Sequence, residues 1–173
     1  MHEAKRNISS IEYKIDVVIP AAGCGARMRR DIAKPLLRIN NIPIINRNIS
    51  ILSRKRTVNN IFCIFGKSKD LFLDSITDKC TTVYNPFYRT TNIVDSLRYG
   101  ILRSNAKRLL IVYGDLVYDK DIFKDLSLAE STIYTQQQTT MGKNEVGCTF
   151  ENGYLSKMMW GLENTWCQIL YLY

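Results

Sequence analysis

The sequence lacks the features that mark several special classes of protein. No apolar run in its 173 residues approaches the ~20 residues that a membrane-spanning helix needs. Residues 1–14 lack the apolar core of a secretory signal peptide. With 46% hydrophobic and 23% charged residues, the composition is neither disordered nor collagen-like. The length predicts a single domain that folds without a disulfide or a metal ion.

Histidine and paired cysteines are also scarce. The one histidine, His2, lies in a polar tail, and no two cysteines form a Cys-x-x-Cys pair. The five cysteines are Cys24, Cys63, Cys80, Cys148 and Cys167. A structural zinc site is not expected, because such sites use cysteine and histidine at close spacings. An odd number of scattered cysteines indicates a reducing compartment, and we expect a cytoplasmic protein.

One stretch of the chain is nearly free of negative charge. Between Arg27 and Arg56 there are nine basic residues and one acidic residue, and the whole chain has a net charge of +8. This concentration indicates an anionic partner, although a solvated basic helix face would give the same pattern. The chain has no recognisable motif for DNA or RNA and no basic–aromatic platform, so a nucleic-acid-binding protein is the weaker interpretation.

Strands and helices are predicted to alternate over the first two thirds of the chain. Apolar, β-branched runs typical of buried strands lie at residues 16–20, 60–65, 81–84 and 108–113. Helices are predicted between them, one opened by Pro43, one near residues 69–76 and one capped by Asn92. The apolar face of the first helix consists of Ile44, Ile45, Ile49 and Leu52. Arg47 and Asn48 are predicted to lie on its other face.

The last third of the chain has a different pattern. Strands are predicted near residues 133–137 and 145–150, and Asn152-Gly153 is a strong hairpin signal leading into residues 154–159. Another apolar strand follows at residues 168–173. The whole pattern predicts an α/β fold, with a Rossmann-like, mostly parallel sheet flanked by helices and an antiparallel hairpin added to it.

The first strand leads into a loop of small residues that runs from Ala21 to Ala26 and precedes Arg27. Glycines allow backbone N–H groups to approach a phosphate closely, and Arg27 can add a charge-assisted contact. The loop falls at the carboxyl end of a strand, where ligands bind in open α/β sheets. It is not a dinucleotide fingerprint, because Met28 stands where a third small residue is needed.

Three motifs occur in one consistent order between residues 15 and 173. The first is Gly23-x-Gly25-x-Arg27-Met28, followed by Lys34-Pro35-Leu36-Leu37. The second is Asn85-Pro86-Phe87-Tyr88-x-x-Thr91-Asn92-x-x-x-Ser96-Leu97, and the third is a strand that ends in Gly114-Asp115. Together they resemble the nucleotidyltransferases that activate sugars, polyols and amino-alcohol phosphates, and the second motif is similar to phosphocholine cytidylyltransferases. One departure is Ala33, where that family commonly has proline.

The resemblance implies a reaction in which a substrate phosphate attacks the α-phosphorus of a nucleoside triphosphate and releases pyrophosphate. The backbone of Ala22, Gly23 and Gly25 would cradle the triphosphate. Arg27 would hold its β- and γ-phosphates, and Lys34 would stabilise charge at the α-phosphate. The substrate phosphate is already a nucleophile, so no general base is required.

The resemblance also implies a metal ligand and residues that contact the base. Asp115 would bind Mg²⁺, although an aspartate after a strand is also a good helix cap. Ser96 matches the position that reads the base in related cytidylyltransferases, and Asn85 would line the same pocket; an ordinary helical serine is the alternative. Candidate walls of an aromatic box for a quaternary ammonium are Tyr134, Trp160 and Trp166, although aromatic residues in strands more often belong to the core.

The leading functional hypothesis is a nucleotidyltransferase that couples CTP to a small phosphate monoester such as phosphocholine. Within the same class, the alternative is a sugar-1-phosphate nucleotidyltransferase that uses UTP or dTTP, and the segment from residue 85 to 97 favours the first. Outside the class, the alternatives are a remnant that only binds nucleotide and a basic nucleic-acid-binding protein.

The remaining expectations concern the two ends of the sequence. We expect residues 1–14 to form a polar tail and residues 15–173 to form one domain that is truncated at its C-terminus. The resemblance implies a second metal-binding aspartate, and no aspartate follows Asp125. The strand at residues 168–173 would leave an edge that pairs with another chain. We therefore expect weak turnover and a homodimer through this strand.

Overall fold

The computed structural model describes residues 14–23, 25, 32–124, 129–137, 145–162 and 165–172. The strands in these ranges are β1 (Ile15–Pro20), β2 (Arg38–Ile39), β3 (Ile42–Pro43), β4 (Val58–Phe65), β5 (Thr81–Tyr84), β6 (Leu109–Val112), β7 (Thr132–Gln137), β8 (Val146–Glu151), β9 (Tyr154–Trp160) and β10 (Thr165–Leu172). The helices are α1 (Ile44–Leu52), α2 (Lys69–Ser75), α3 (Ile93–Ile101) and a 3-10 turn at Lys34–Leu36. Within the described ranges, none of these helices is long and apolar enough to cross a membrane.

One sheet of eight strands organises the fold. Its order is β5-β4-β1-β6-β10-β8-β9, and β7 pairs with β10. The strands β5, β4, β1 and β6 are parallel to one another, whereas β10 runs antiparallel to β6, β7 and β8. The predicted α/β class, with a parallel sheet and an antiparallel addition, is therefore confirmed.

The hairpin between β8 and β9 is also confirmed. Its turn contains Asn152 with φ 52° and Gly153 with φ 82°, both in the left-handed region. Two successive left-handed residues match the twist of the flanking strands, which explains the preference for the Asn-Gly pair at this position. The same two residues were enough to place the turn from sequence, because this preference is local.

Helices cover both faces of the parallel strands. Ile49 of α1 and Phe72 of α2 pack in one core cluster with Ile19 of β1. Val18, on the opposite face of β1, forms a second cluster against which Leu97 of α3 packs. Because β4 and β5 lie on one side of β1 and β6 lies on the other, the direction of winding reverses between β1 and β6. In open α/β sheets, ligands bind at the carboxyl ends of the strands at such a reversal.

The prediction of which residues of α1 face away from the core is wrong for one residue, Asn48. The helix follows Pro43 as predicted, and Ile45, Ile49 and Leu52 are fully buried. Asn48 was predicted to share the polar face with Arg47, but it is also fully buried. The reason is a hydrogen bond from Asn48 Nδ2 to the carbonyl oxygen of Leu116, at 3.0 Å, which attaches α1 to the segment after β6.

The prediction that the last strand leaves a free edge is also wrong. Residues Ile169–Leu172 of β10 pair with β6, and Thr165–Tyr171 pair with β7 on the other side. A strand with a neighbour on each side has few unpaired backbone groups to offer to a second chain. The physical basis for a homodimer through this strand is therefore absent, and we do not propose one.

The third helix lies close to the sheet because it carries a glycine at the contact. Asn92 and Asp95 form a reciprocal capping box at its start, which confirms the predicted cap. A Cβ atom on Gly100 would lie 2.7 Å from Val18 Cγ1 and 2.8 Å from Ile64 Cδ1. Only a residue without a side chain allows α3 to approach β1 and β4 this closely.

We expect the substitution Gly100→Ala to destabilise the fold by about 1 kcal/mol. Overpacking costs ~1–3 kcal/mol, and the better helix propensity of alanine returns ~1 kcal/mol of this. Urea denaturation of the variant and the wild type measures the difference. Val94→Ala is the matched control, because Val94 lies on the same helix but is 62% exposed, and it should change the stability little. Equal stability of Gly100→Ala and wild type would contradict the close packing of α3.

Candidate active site

The loop after β1 presents its backbone at the edge of the sheet. Ala21 and Ala22 are buried, whereas Gly23 is exposed. A Cβ atom on Gly23 would meet no atom within 4 Å, so space is open beside this backbone. Gly25 has φ +62°, a left-handed conformation that favours glycine. The loop can therefore admit a phosphate to its backbone; Arg27, together with residues 24 and 26–31, lies outside the described residues.

Lys34 lies directly beside this loop. A Cβ atom on Gly25 would be 3.8 Å from Lys34 Cγ. The lysine starts a 3-10 turn in which Leu37 N donates to Lys34 O at 3.0 Å, and Pro35 and Leu36 are buried. Ala33 has φ −66°, which is the value that proline would impose. Ala33 therefore has the φ angle that a proline would have at this position, so the departure from the family motif does not change the backbone before Lys34.

Asp115 faces Lys34 across the reversal between β1 and β6. Lys34 Nζ lies 3.7 Å from Asp115 Oδ2, and the two side chains are 34% and 35% exposed. Gly114 brings the aspartate this close, because its N–H donates to Pro20 O at 3.3 Å and a Cβ atom there would lie 3.2 Å from Ala21 Cβ. The structure thus brings together the glycine loop, the lysine and the aspartate that the sequence singled out.

Asp115 is the described residue of this site whose carboxylate could bind a divalent cation. Among the described residues, no group of three or more His, Cys, Asp and Glu side chains is placed to hold a metal. Mg²⁺ commonly uses one or two carboxylates and completes its shell with waters and substrate phosphates. Asp115 fits this pattern, since its carboxylate is accessible and does not cap an α-helix of the described chain.

Asn85 and Ser96 form a buried cluster at the same edge of the sheet. Asn85 is fully buried, and its Nδ2 donates to Thr91 Oγ1 and to Ser96 Oγ, each at 3.0 Å. Its Oδ1 accepts from the backbone N–H of Phe87 at 2.9 Å. Ser96 Oγ in turn donates to Asn92 O at 3.2 Å. The structure therefore joins the two predicted base-contacting residues to each other, with their polar atoms engaged inside the protein.

This buried cluster and the glycine loop lie a short distance apart. Asn85 follows β5, the loop follows β1, and β4 lies between these two parallel strands. Neighbouring strands are spaced by about 4.8 Å, so the two strand ends lie roughly 10 Å apart across the sheet. A nucleotide is long enough to contact both ends, with its phosphates at one and its base at the other.

The three aromatic residues considered for a quaternary ammonium box have different surroundings. Tyr134 packs edge-to-face on Phe123, with ring centroids 5.5 Å apart, at the margin of the core. Trp160 is 63% exposed at the end of β9. The Trp166 side chain lies outside the described part of the chain. Tyr134 thus packs against the core, as the alternative interpretation of this residue predicted. The aromatic box for a quaternary ammonium stays a prediction.

Two residues that hold the segment after Asp115 were not among those predicted from the sequence. Asn48 binds Leu116 O, as described above, and Arg47 Nη1 donates to Tyr118 O at 2.7 Å. A signal for Asn48 was present in the sequence. It lies four residues after Ile44 and four before Leu52, so it falls on the apolar stripe of α1, where a polar residue needs a buried partner.

One further ionisable group adjoins the site. Burial raises the pKa of the Tyr113 phenol, and the nearby Cys167 and Asp115 raise this pKa further. Tyr113 therefore stays protonated near neutral pH and does not serve as a general base.

The glycine loop, Lys34 and Asp115 thus meet at the carboxyl ends of the parallel strands of an α/β fold. The chain belongs to the family of MobA-like NTP transferase domains, whose sequence profile matches residues 17–143. The chain therefore carries a nucleotidyltransferase domain, and the enzyme class predicted from the three motifs is confirmed.

Solved structures of nucleotidyltransferases share this fold. The CTP:phosphocholine cytidylyltransferase of Streptococcus pneumoniae superposes with a TM-score of 0.73 at 21% identity, over 91% of this chain and 70% of that chain. The inositol-1-phosphate CTP transferase of T. maritima superposes with a TM-score of 0.70 at 13% identity, over 91% of this chain and 69% of that chain. At these identities the likeness shows the fold alone.

A curated relative with detectable sequence identity is a much longer protein. The bifunctional protein GlmU of Oenococcus oeni is 31% identical over 103 residues, which are 60% of this chain and 22% of that protein. The matched part thus spans less than a quarter of that relative.

Proposed function

We propose that this nucleotidyltransferase is a Mg²⁺-dependent cytidylyltransferase that couples CTP to a small phosphate monoester such as phosphocholine and releases pyrophosphate. The approach of Lys34 Nζ to Asp115 Oδ2, at 3.7 Å beside the glycine loop, carries the catalytic part of this proposal. The motif from Asn85 to Ser96 supports the choice of CTP. The two CTP-using enzymes with the same fold give it further support.

The pairing of Lys34 with Asp115 suits a ligand that carries both charges. An ion pair between partly exposed side chains contributes only about 0–1 kcal/mol to stability, so stability is a weak reason for placing both groups here. A triphosphate offers an anion for Lys34, and its accompanying cation needs the carboxylate of Asp115. Without a ligand, the positive charge of Lys34 and the negative charge of Asp115 therefore compensate each other. A metal-bound triphosphate would engage both of them, the lysine through its phosphates and the aspartate through its metal ion.

In the proposed reaction, the protein mainly positions the phosphates and neutralises their charge. The backbone N–H groups around Gly23 and Gly25 bind the triphosphate, and Lys34 stabilises the negative charge that builds up on the α-phosphate oxygens. Arg27 is proposed to hold the β- and γ-phosphates. When bound at Asp115, Mg²⁺ supplies additional positive charge to the phosphate oxygens.

We also propose that the buried cluster of Asn85 and Ser96 acts on the base through the loop that it holds. Asn85 holds the residue 85–91 loop together through its hydrogen bonds with Thr91 Oγ1 and with the N–H of Phe87, and its bond to Ser96 Oγ ties this loop to the first turn of α3. With its side chains engaged in this way, the cluster fixes which backbone groups of the loop face the nucleotide. A rigid loop favours one base, because a base that leaves buried polar groups unpaired binds less well.

A panel of substrates tests the proposed specificity. Pyrophosphate release is measured with each of the four ribonucleoside triphosphates and dTTP, against phosphocholine, phosphoethanolamine and glucose 1-phosphate, with Mg²⁺ or with EDTA. We expect CTP with phosphocholine and Mg²⁺ to exceed the other pairs by at least about tenfold in kcat/KM, equal to ~1.4 kcal/mol. Faster turnover of glucose 1-phosphate with UTP or dTTP would establish the alternative. Binding of nucleotide without release of pyrophosphate from any pair would contradict the proposal.

A further inference from the structure

We infer that Arg47 and Asn48 are positioning residues that hold Asp115 in place opposite Lys34. This inference rests on the proposed role of Asp115 as the metal ligand. Neither residue touches the reacting groups; both act on the backbone that follows the aspartate.

The first observation is a pair of hydrogen bonds between α1 and this backbone. Asn48 Nδ2 donates to Leu116 O at 3.0 Å, and Arg47 Nη1 donates to Tyr118 O at 2.7 Å. Residues 113–119 contain no helix or strand, so this segment lacks the regular hydrogen bonds that would otherwise fix it. The two bonds, together with the burial of Leu116 and Tyr118 in the core, therefore fix the path of the chain directly after Asp115.

The second observation is that the same helix also fixes the lysine side of the site. Ile44, the first residue of α1, donates its N–H to Leu37 O at 2.9 Å, and Leu37 N is bonded to Lys34 O. Ile45 Cδ1 lies 3.3 Å from the place where a Cβ atom of Gly114 would stand. One rigid helix thus contacts the segment that carries Lys34 and the segment that carries Asp115.

The third observation is that Asn48 is a poor choice for stability alone. Its Oδ1 is buried and has no hydrogen-bond partner in the described structure. An unsatisfied buried polar atom costs roughly 1–3 kcal/mol, whereas its buried neighbours on the helix, Ile45 and Ile49, show that an apolar side chain can pack on this face. The bond to Leu116 O accounts for a polar residue here, because it places the segment after Asp115.

The helix provides a matched control at Asn46. Asn46 Nδ2 donates to Ser75 O at 2.7 Å, and its Oδ1 accepts from Thr77 N at 3.1 Å. This asparagine also joins α1 to a loop by side-chain-to-backbone bonds, but the loop follows α2 and carries neither Lys34 nor Asp115. Loss of its bonds should lower stability without moving Asp115.

The test measures how Mg²⁺ stabilises the complex with pyrophosphate, a product that every enzyme of this class releases. Melting temperatures are recorded with pyrophosphate at increasing MgCl₂ for the wild type, Arg47→Met, Asn48→Ala, Asn46→Ala and Asp115→Asn. We expect the MgCl₂ concentration for half of the added stabilisation to rise by about tenfold in Arg47→Met and Asn48→Ala. It should stay unchanged in Asn46→Ala, although that variant also melts earlier without ligand.

The outcomes separate this inference from the proposed function. If Asp115→Asn loses the Mg²⁺-dependent stabilisation while Arg47→Met and Asn48→Ala keep the wild-type concentration dependence, the positioning role is wrong and the metal ligand stands. If the wild type itself shows no Mg²⁺-dependent stabilisation, both the metal ligand and the positioning role are wrong. Arg47 is half-buried at the surface, so Arg47→Met keeps the test valid even if Asn48→Ala fails to fold.

Discussion

Replacing Lys34 with alanine is expected to lower kcat by about 100- to 1000-fold, the usual cost of one preorganised charge contact at a reacting phosphate. The lysine is placed for this role by the 3-10 turn that it begins and by the glycine loop against its stem. Stability should change by no more than about 1 kcal/mol, because both side chains of the pair with Asp115 are partly exposed to solvent. Steady-state kinetics and urea denaturation of the same preparation measure the two effects.

Lys107→Ala is the matched control for the lysine. Lys107 is exposed and precedes β6, at the end of that strand opposite to Asp115. Lys107 carries the same charge as Lys34 and contributes equally to the net charge of the protein, but it lies far from the site. Its removal should therefore leave kcat nearly unchanged. Near-wild-type turnover in Lys34→Ala would show that the glycine loop and the lysine are not the triphosphate site.

Asp115→Asn should abolish the dependence of turnover on Mg²⁺ and lower kcat by at least about 100-fold. Asparagine keeps the shape of the side chain but removes the charge, and the charge stabilisation from one bound metal is worth several kcal/mol. The fold should be retained, because the hydrogen bonds that hold this segment come from backbone and α1 atoms. A titration of activity with MgCl₂ for both proteins measures the change.

Asp119→Asn serves as the control for the second substitution. Asp119 Oδ1 accepts from the backbone N–H of Asp121 at 2.8 Å, so its carboxylate is occupied in a local turn. Loss of this charge, four residues from Asp115, should leave the Mg²⁺ dependence unchanged. An unaltered metal requirement in Asp115→Asn would instead assign the aspartate a structural role.

The sequence predicted those parts of the fold that depend on local patterns. The apolar run of β1, the start of α1 after Pro43 and the Asn-Gly turn before β9 each follow from a few adjacent residues. The approach of Lys34 to Asp115 could also be anticipated, but only through the order of the three motifs. Local sequence patterns place Asp115 just after a strand and Lys34 after the glycine loop, but they do not give the distance between these two residues.

The remaining features depend on contacts between distant parts of the chain. The exposed edge predicted for residues 168–173 failed because β10 has β6 and β7 as neighbours, and strand pairing of this kind leaves no local signal. The hydrogen bonds from Asn48 to Leu116 and from Asn85 to Ser96 could not be predicted for the same reason. A polar residue on an apolar stripe shows that a partner exists, but not which one.

The position of β10 has a consequence for the order in which the protein is assembled. Leu172 pairs with Leu109, and residues 165–171 pair with β7, so this strand joins parts of the chain that are synthesised well before it. While the ribosome makes residues 113–164, β10 does not yet exist, and the edge of β6 with which it will pair is uncovered. Pairing over such sequence distances is slow, and an uncovered strand edge invites aggregation. We therefore expect the yield of active protein to depend on how quickly residues 165–172 reach the sheet after their synthesis.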